Sequence, residues 1–92
     1  MQIRRRYPGK SAPDIHARVD RVMEDVSRRY SLHYEKDGKA LTGRVKKMGI
    51  TGTYAVVEGE VTVDLSFPML IPASLRKKVT EDIEEKLDQL FA

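Results

Sequence analysis

Two histidines, His16 and His33, are the only side chains here whose ordinary proton affinity suits transfer near neutral pH. Each falls on the polar side of its own local pattern. Neither belongs to an H-x-x-x-H pair, and a chain without cysteine supplies no thiolate to complete a zinc site. Both read as solvent-exposed surface histidines, and no metal or cofactor is expected. The serines and threonines lack a G-x-S-x-G elbow, so no hydroxyl is set beside a base. Glu81, Asp82, Glu84, Glu85 and Asp88 are numerous enough to suggest paired carboxylates. Their helical phases, however, scatter them among Lys77, Lys78 and Lys86 around a solvated face. Gly49-Ile50-Thr51-Gly52 resembles a phosphate-loop fragment, yet no Lys-Ser or Lys-Thr follows it and it leads into no helix. These glycines read as backbone geometry. No residue set specifies a reaction, and the chain reads as a non-enzyme.

Two other sets of residues point to contact. Arg4, Arg5 and Arg6 precede Tyr7, and Arg18, Arg21 and Arg28 follow, with Lys10, Arg29, Lys46 and Lys47 near them in sequence. Guanidinium groups pair with phosphates and a tyrosine can stack a base, so this candidate basic patch is the argument for nucleic acid. No RNP-like aromatic strand, GXXG loop or helix-turn-helix register accompanies it, which makes a basic solvated face the plainer reading. The second set is Phe67, Met69, Leu70 and Ile71, set between Pro68 and Pro72. Such a link normally closes a core. It holds more apolar bulk than a turn requires, so it is also a candidate apolar patch for self-association or for docking to an apolar surface.

Positioning these residues requires elements that the periodicity supplies. Gln2 to Tyr7 alternates and reads as a short edge strand, broken by Pro8-Gly9. Ser11 offers a cap to a helix in which Ile15, Val19, Val22, Met23, Val26 and Tyr30 share one face. From Ser31 the period changes to two: Leu32 and Tyr34 alternate with His33 and Glu35, and Asp37-Gly38 marks a hairpin. A strand from about Ala40 to Lys47 places Leu41, Gly43 and Val45 on one face, with Gly43 a weak point or bulge. Gly49 suits a turn with positive φ, Ile50 to Val57 is another strand, and Val61 to Phe67 alternates most clearly of all. After the proline link, Ser74 is expected to cap a second helix carrying Leu75, Val79, Ile83, Leu87, Leu90 and Phe91 on one side. The order β-α-β-β-β-β-α predicts an α+β fold, an antiparallel meander of about five strands whose single apolar face is covered by two helices.

Size and charge set the limits. A chain of 92 residues makes one domain, 1–92, with a small core and little room for a deep pocket. Absence of cysteine excludes disulfides and thiolate catalysis and fits a reducing compartment. The net charge of +3 conceals a split, since residues 1–47 carry +7 and residues 48–92 carry −4. No apolar run is long enough to span a bilayer, and Met1 to Lys10 lacks the apolar stretch of a signal peptide, so a cytoplasmic location is expected.

Three segments of the second half carry a resemblance. Gly49-Ile50-Thr51-Gly52-Thr53 enters a strand, Val61-x-Val63-x-Leu65 alternates, and Ile83-Glu84-Glu85-Lys86-Leu87-Asp88-Gln89-Leu90-Phe91-Ala92 ends the chain. Together with an Arg-rich first strand leading into a helix, this pattern resembles the small polyhydroxyalkanoic acid system proteins over almost the whole chain. It departs at Tyr7-Pro8, where the family pattern has a His-containing turn. The resemblance implies a bacterial cytoplasmic accessory protein of storage-polyester metabolism, associated with polyhydroxyalkanoate granules. Granule-associated or polyester-synthesis proteins are the partners it implies, and further copies of the chain are the partners that the apolar link suggests. It brings no catalytic residues. The architecture is similar to a miniature helix-grip fold, which implies an apolar-ligand binder as an alternative function, alongside nucleic-acid binding through the basic half.

Overall fold

The computed structural model describes residues 1–92 and contains β1 (Gln2–Arg6), α1 (Ala12–Tyr30), β2 (His33–Asp37), β3 (Thr42–Lys47), β4 (Ile50–Val57), β5 (Glu60–Ser66) and α2 (Ala73–Asp88). All five strands form one sheet in the order β1-β5-β4-β3-β2, and every neighbouring pair is antiparallel. The expected α+β order and meander are therefore present. β1 and β2 are the two edges, so α1, which connects them, has to cross the sheet.

The helices cover one face because only that face is apolar. Val61, Val63 and Leu65 of β5, Tyr54 and Val56 of β4, Val45 of β3 and Ile3 of β1 are buried, while their alternate neighbours point away. α1 lies against β2 to β5, and α2 against β1 and α1. Ile15, Val19, Met23 and Val26 of α1 meet Val79, Ile83 and Leu87 of α2 in a single cluster. Complete burial of a side chain such as Ile83 or Leu87 stabilises by about 1.5–3 kcal/mol. Val22, at the margin of the α1 stripe, is only half-buried. The other face of the sheet carries no element.

Local chemistry explains the boundaries. Ser11 Oγ accepts from the Asp14 amide at 3.3 Å and starts α1, and Ser31, in the left-handed region at φ 55°, ends it. Asp37 Oδ1 accepts from the amides of Lys39 and Ala40 at 2.9 and 3.1 Å, which rounds the β2–β3 connection. That connection runs to Leu41, which has φ 56°, so β3 begins at Thr42 and not at Ala40. Met48 and Gly49, at φ 46° and 90°, form the two-residue β3–β4 turn.

Two expectations change. Ser74 is not the cap of α2: the cap position is Pro72, two residues earlier, and no side chain bonds the first amides of the helix. Gly43 makes no bulge, since the β3–β4 register runs unbroken from Thr42↔Ala55 to Lys47↔Ile50. Its missing side chain is filled by the ring of its cross-strand neighbour Tyr54, whose Oη lies 2.8 Å from where a Cβ would stand.

Candidate functional site

His16 is not on the surface. It is 8% exposed, and its Nε2 lies 3.2 Å from Tyr54 Oη. From there the contacts continue outward: Tyr54 Oη is 2.7 Å from Tyr34 Oη, and Tyr34 donates to Asp20 Oδ1 at 2.7 Å. Lys36 donates to Asp20 Oδ2 at 2.9 Å and to Glu24 at 3.5 Å. The origin is local. His16 and Asp20 are four apart on α1, Tyr34 and Tyr54 occupy inward positions of their strands, and Gly43 leaves space for the Tyr54 ring. That i, i+4 pair, read together with two inward tyrosines, was the signal available in the sequence; an apolar-periodicity test passes over it. Burial raises the phenol pKa of Tyr54, and burial with hydrogen bonds to Tyr54 and Asp20 raises that of Tyr34 further. Burial also works to raise Asp20, but hydrogen bonds from Tyr34 and Lys36 outweigh it, and the carboxyl ends below its ordinary value. The network clamps α1 to the β2 side of the sheet. His33 is exposed, with Glu35 Oε1 at 3.0 Å from its Nε2.

The arginines proposed as a basic patch are distributed over different surfaces. Alternation along β1 sends Arg4 and Arg6 to the uncovered face, where Arg4 meets Glu60 at 3.0 Å, and turns Arg5 under α2. There Arg5 contacts Asp88 at 2.6 Å and Glu84 at 3.2 Å. Arg18 donates to the Leu90 carbonyl at 3.1 Å and lies 4.4 Å over the Phe91 ring. Arg21 and Arg28 are exposed on the outer side of α1. The α2 carboxylates are similarly engaged, Asp82 accepting from Arg29 and Tyr30, both at 2.8 Å. Tyr7 does not face solvent beside the arginines; its hydroxyl donates to the Leu87 carbonyl at 2.6 Å, and burial pushes its pKa up to about 12. With Tyr34 and Tyr54 also turned inward, the uncovered face presents no aromatic ring for stacking. No group of three or more His, Asp or Glu side chains converges to hold a metal ion.

The apolar link behaves differently. β3 ends, β4 begins and β5 ends at one end of the sheet, and the Met1 ammonium is fixed there by a 2.9 Å bond to the Leu65 carbonyl. Four of the five exposed large hydrophobic side chains gather at this end: Met1, Met48, Met69 (96% exposed) and Leu70 (95%). Phe67 and Ile71 are half-buried and line different depressions. Phe67 borders a groove of about 660 Å³ with Met1, Arg76 and Lys77. Ile71 borders a cleft of about 290 Å³ that runs between the end of α1 (Tyr30, Leu32), the β3–β4 turn (Lys47, Met48, Ile50) and the start of α2 (Leu75, Val79). Residues 45–57 and 65–80, which frame this end, carry Lys46, Lys47, Arg76, Lys77 and Lys78 and not one Asp or Glu. Of these five, Lys77 alone meets a carboxylate, Glu81 at 3.9 Å. The result is an apolar tip with a cationic collar, which Glu81 and Glu84 interrupt only in the groove on the Met1 side.

The sequence profile of the family described as polyhydroxyalkanoic acid system protein matches residues 5–91. The chain belongs to this family. No curated protein matches it. The matched span takes in both helices, the whole β2 to β5 meander and the link from Phe67 to Pro72, so in this polyhydroxyalkanoic acid system protein Met48, Met69 and Leu70 of the apolar end lie within the family region and Met1 lies outside it. No helix is long and apolar enough to cross a membrane.

Proposed function

We propose that this chain is a non-enzymatic accessory protein of polyhydroxyalkanoate metabolism, and that it works by laying its apolar end against the surface of the storage-polyester granule. The observation that carries this reading is the gathering of Met1, Met48, Met69 and Leu70 at one end of a chain whose one other exposed large apolar side chain is Val57. A polyester surface is apolar and extended, and a tip of flexible methionines and a leucine adapts to such a surface without needing a matched pocket. Burying each tip side chain contributes on the order of 1–2 kcal/mol, enough together for retention at a surface that offers many sites. A role without catalysis is supported by the state of the polar groups: His16, Tyr34 and Tyr54 bond one another within the clamp, and Asp82, Glu84 and Asp88 of α2 hold arginines.

The test is co-purification of the tagged chain with granules from cells accumulating polyester. Met69→Ser with Leu70→Ser should abolish retention while leaving the thermal midpoint nearly unchanged, because neither side chain is packed. Undiminished retention of the double variant would remove the tip from the account. A large fall in midpoint would show that these residues belong to the core.

A further inference from the structure

At the apolar end the core is left open between the two helices. In the cleft of about 290 Å³, Val79 is buried, Leu32, Ile50, Ile71 and Leu75 are half-buried, and Lys47 is the only charged lining residue. The Lys47 Nζ donates to the Tyr30 carbonyl at 3.2 Å, which holds the side chain beside the cleft and leaves two of its three N–H donors for another acceptor. Asp82 is bonded to the Tyr30 hydroxyl but does not line the cleft, and no other carboxylate does.

We infer that this cleft binds one unbranched alkyl chain ending in an anion, such as a medium-length monocarboxylate, with the chain among the aliphatic walls and the anion on Lys47. Three observations select this class. The volume lies at the lower edge of known ligand pockets and suits a single slender chain. The walls offer almost no polar partner, so hydrogen-bonding groups along a ligand would be buried unpaired, whereas methylenes would not. The sign of the end group follows from the surroundings: the framing segments carry only positive charge, and α2 starts here with no side-chain cap and Arg76 in its first turn and a half. This site goes beyond granule contact: it shares Met48 with the tip, but Met69 and Leu70 do not line it.

The experiment is a titration of the full-length chain with hexanoate, octanoate and decanoate below their micellar concentrations, read from the methyl resonances of Leu32, Ile50, Ile71, Leu75 and Val79. Saturable shifts are expected at these methyls, with affinity rising about tenfold for each two carbons added until the cleft is full. Octylammonium should bind at least several-fold more weakly than octanoate, and Lys47→Gln should narrow that difference. Ile71→Trp, which fills the cleft from the side of the link, should abolish the shifts, and Leu75→Phe provides a second filling variant if the first does not fold. Met69→Ser with Leu70→Ser should leave octanoate binding intact, so failure of granule contact and failure of this site are separable. Equal affinity for octanoate and octylammonium, no saturable shift at any chain length, or shifts produced only by anionic phospholipid vesicles would each overturn the inference.

Discussion

The two helices of this chain begin in opposite ways. α1 starts with Ser11 accepting an amide bond, Asp14 in its first turn, and ends with Arg28 and Arg29, so its cap and charges all suit the helix dipole. α2 starts after Pro72 with no side-chain cap and no acid in its first turn, and Arg76, Lys77 and Lys78 follow, which is the wrong sign for that end of a helix. The difference teaches what holds each element. α1 is stabilised at its ends as well as along its length; α2 depends on Val79, Ile83 and Leu87, and its start is free to serve the surface beside it. Departures from local rules of this kind concentrate where a protein meets something else.

The largest test attacks the stripe. Ile83→Ala or Leu87→Ala should destabilise by about 2–4 kcal/mol in urea unfolding, because both residues are fully buried. A loss no greater than that of a surface change would mean that α2 is held by something other than packing. On the α1 side, Tyr34→Phe should cost about 1–2 kcal/mol by leaving Asp20 and Tyr54 without a shared hydroxyl.

The same variant has a pH signature. The Asp20 carboxyl is depressed in the folded protein, so its contribution is complete above the unfolded value of about 3.9 and is lost as pH falls through the lower folded value. Acid unfolding of Tyr34→Phe, followed by circular dichroism, should therefore show a shallower dependence below about pH 4 than the parent chain. An identical acid limb would show that the Tyr34 bond does not set the Asp20 affinity.

Smaller effects bear on the helix starts directly. Ser11→Ala should cost about 1 kcal/mol, whereas Ser74→Ala should change stability by less than about 0.5 kcal/mol. Equal losses would erase the contrast between the caps. Smallest of all, Arg76→Glu should raise stability by about 0.3–1 kcal/mol by correcting the dipole mismatch while leaving the contact of Lys77 with Glu81 in place.

The fold was legible because periodicity reports burial. Val61 to Leu65 alternates since one face of β5 is covered, and Ile83 and Leu87 are four apart since one side of α2 is. What stayed hidden depended on contacts between distant residues. Nothing local distinguishes His16 from a surface histidine, since its burial comes from Tyr54, thirty-eight positions on, and from the space at Gly43. Ser74 looked like a cap because its side chain is the right type, but Pro72 fixes the backbone two residues earlier. The apolar link stood out in the sequence by composition. Its cationic collar did not, because Lys46 and Lys47 reach it only through strand pairing.

The place of β1 has a consequence in time. Gln2 to Arg6 pairs with Glu60 to Asp64, so β1 is made well before its partner and has to wait for the β2 to β5 segment between them. The hairpins from β2 to β5 close over short connections, and local closures are fast, whereas ordering β1 closes a loop of more than fifty residues. Docking of β1 is expected to be the late step of folding. Until it occurs, β5 is an open edge bearing Val61, Val63 and Leu65, and the folding chain is at its most adhesive in that interval.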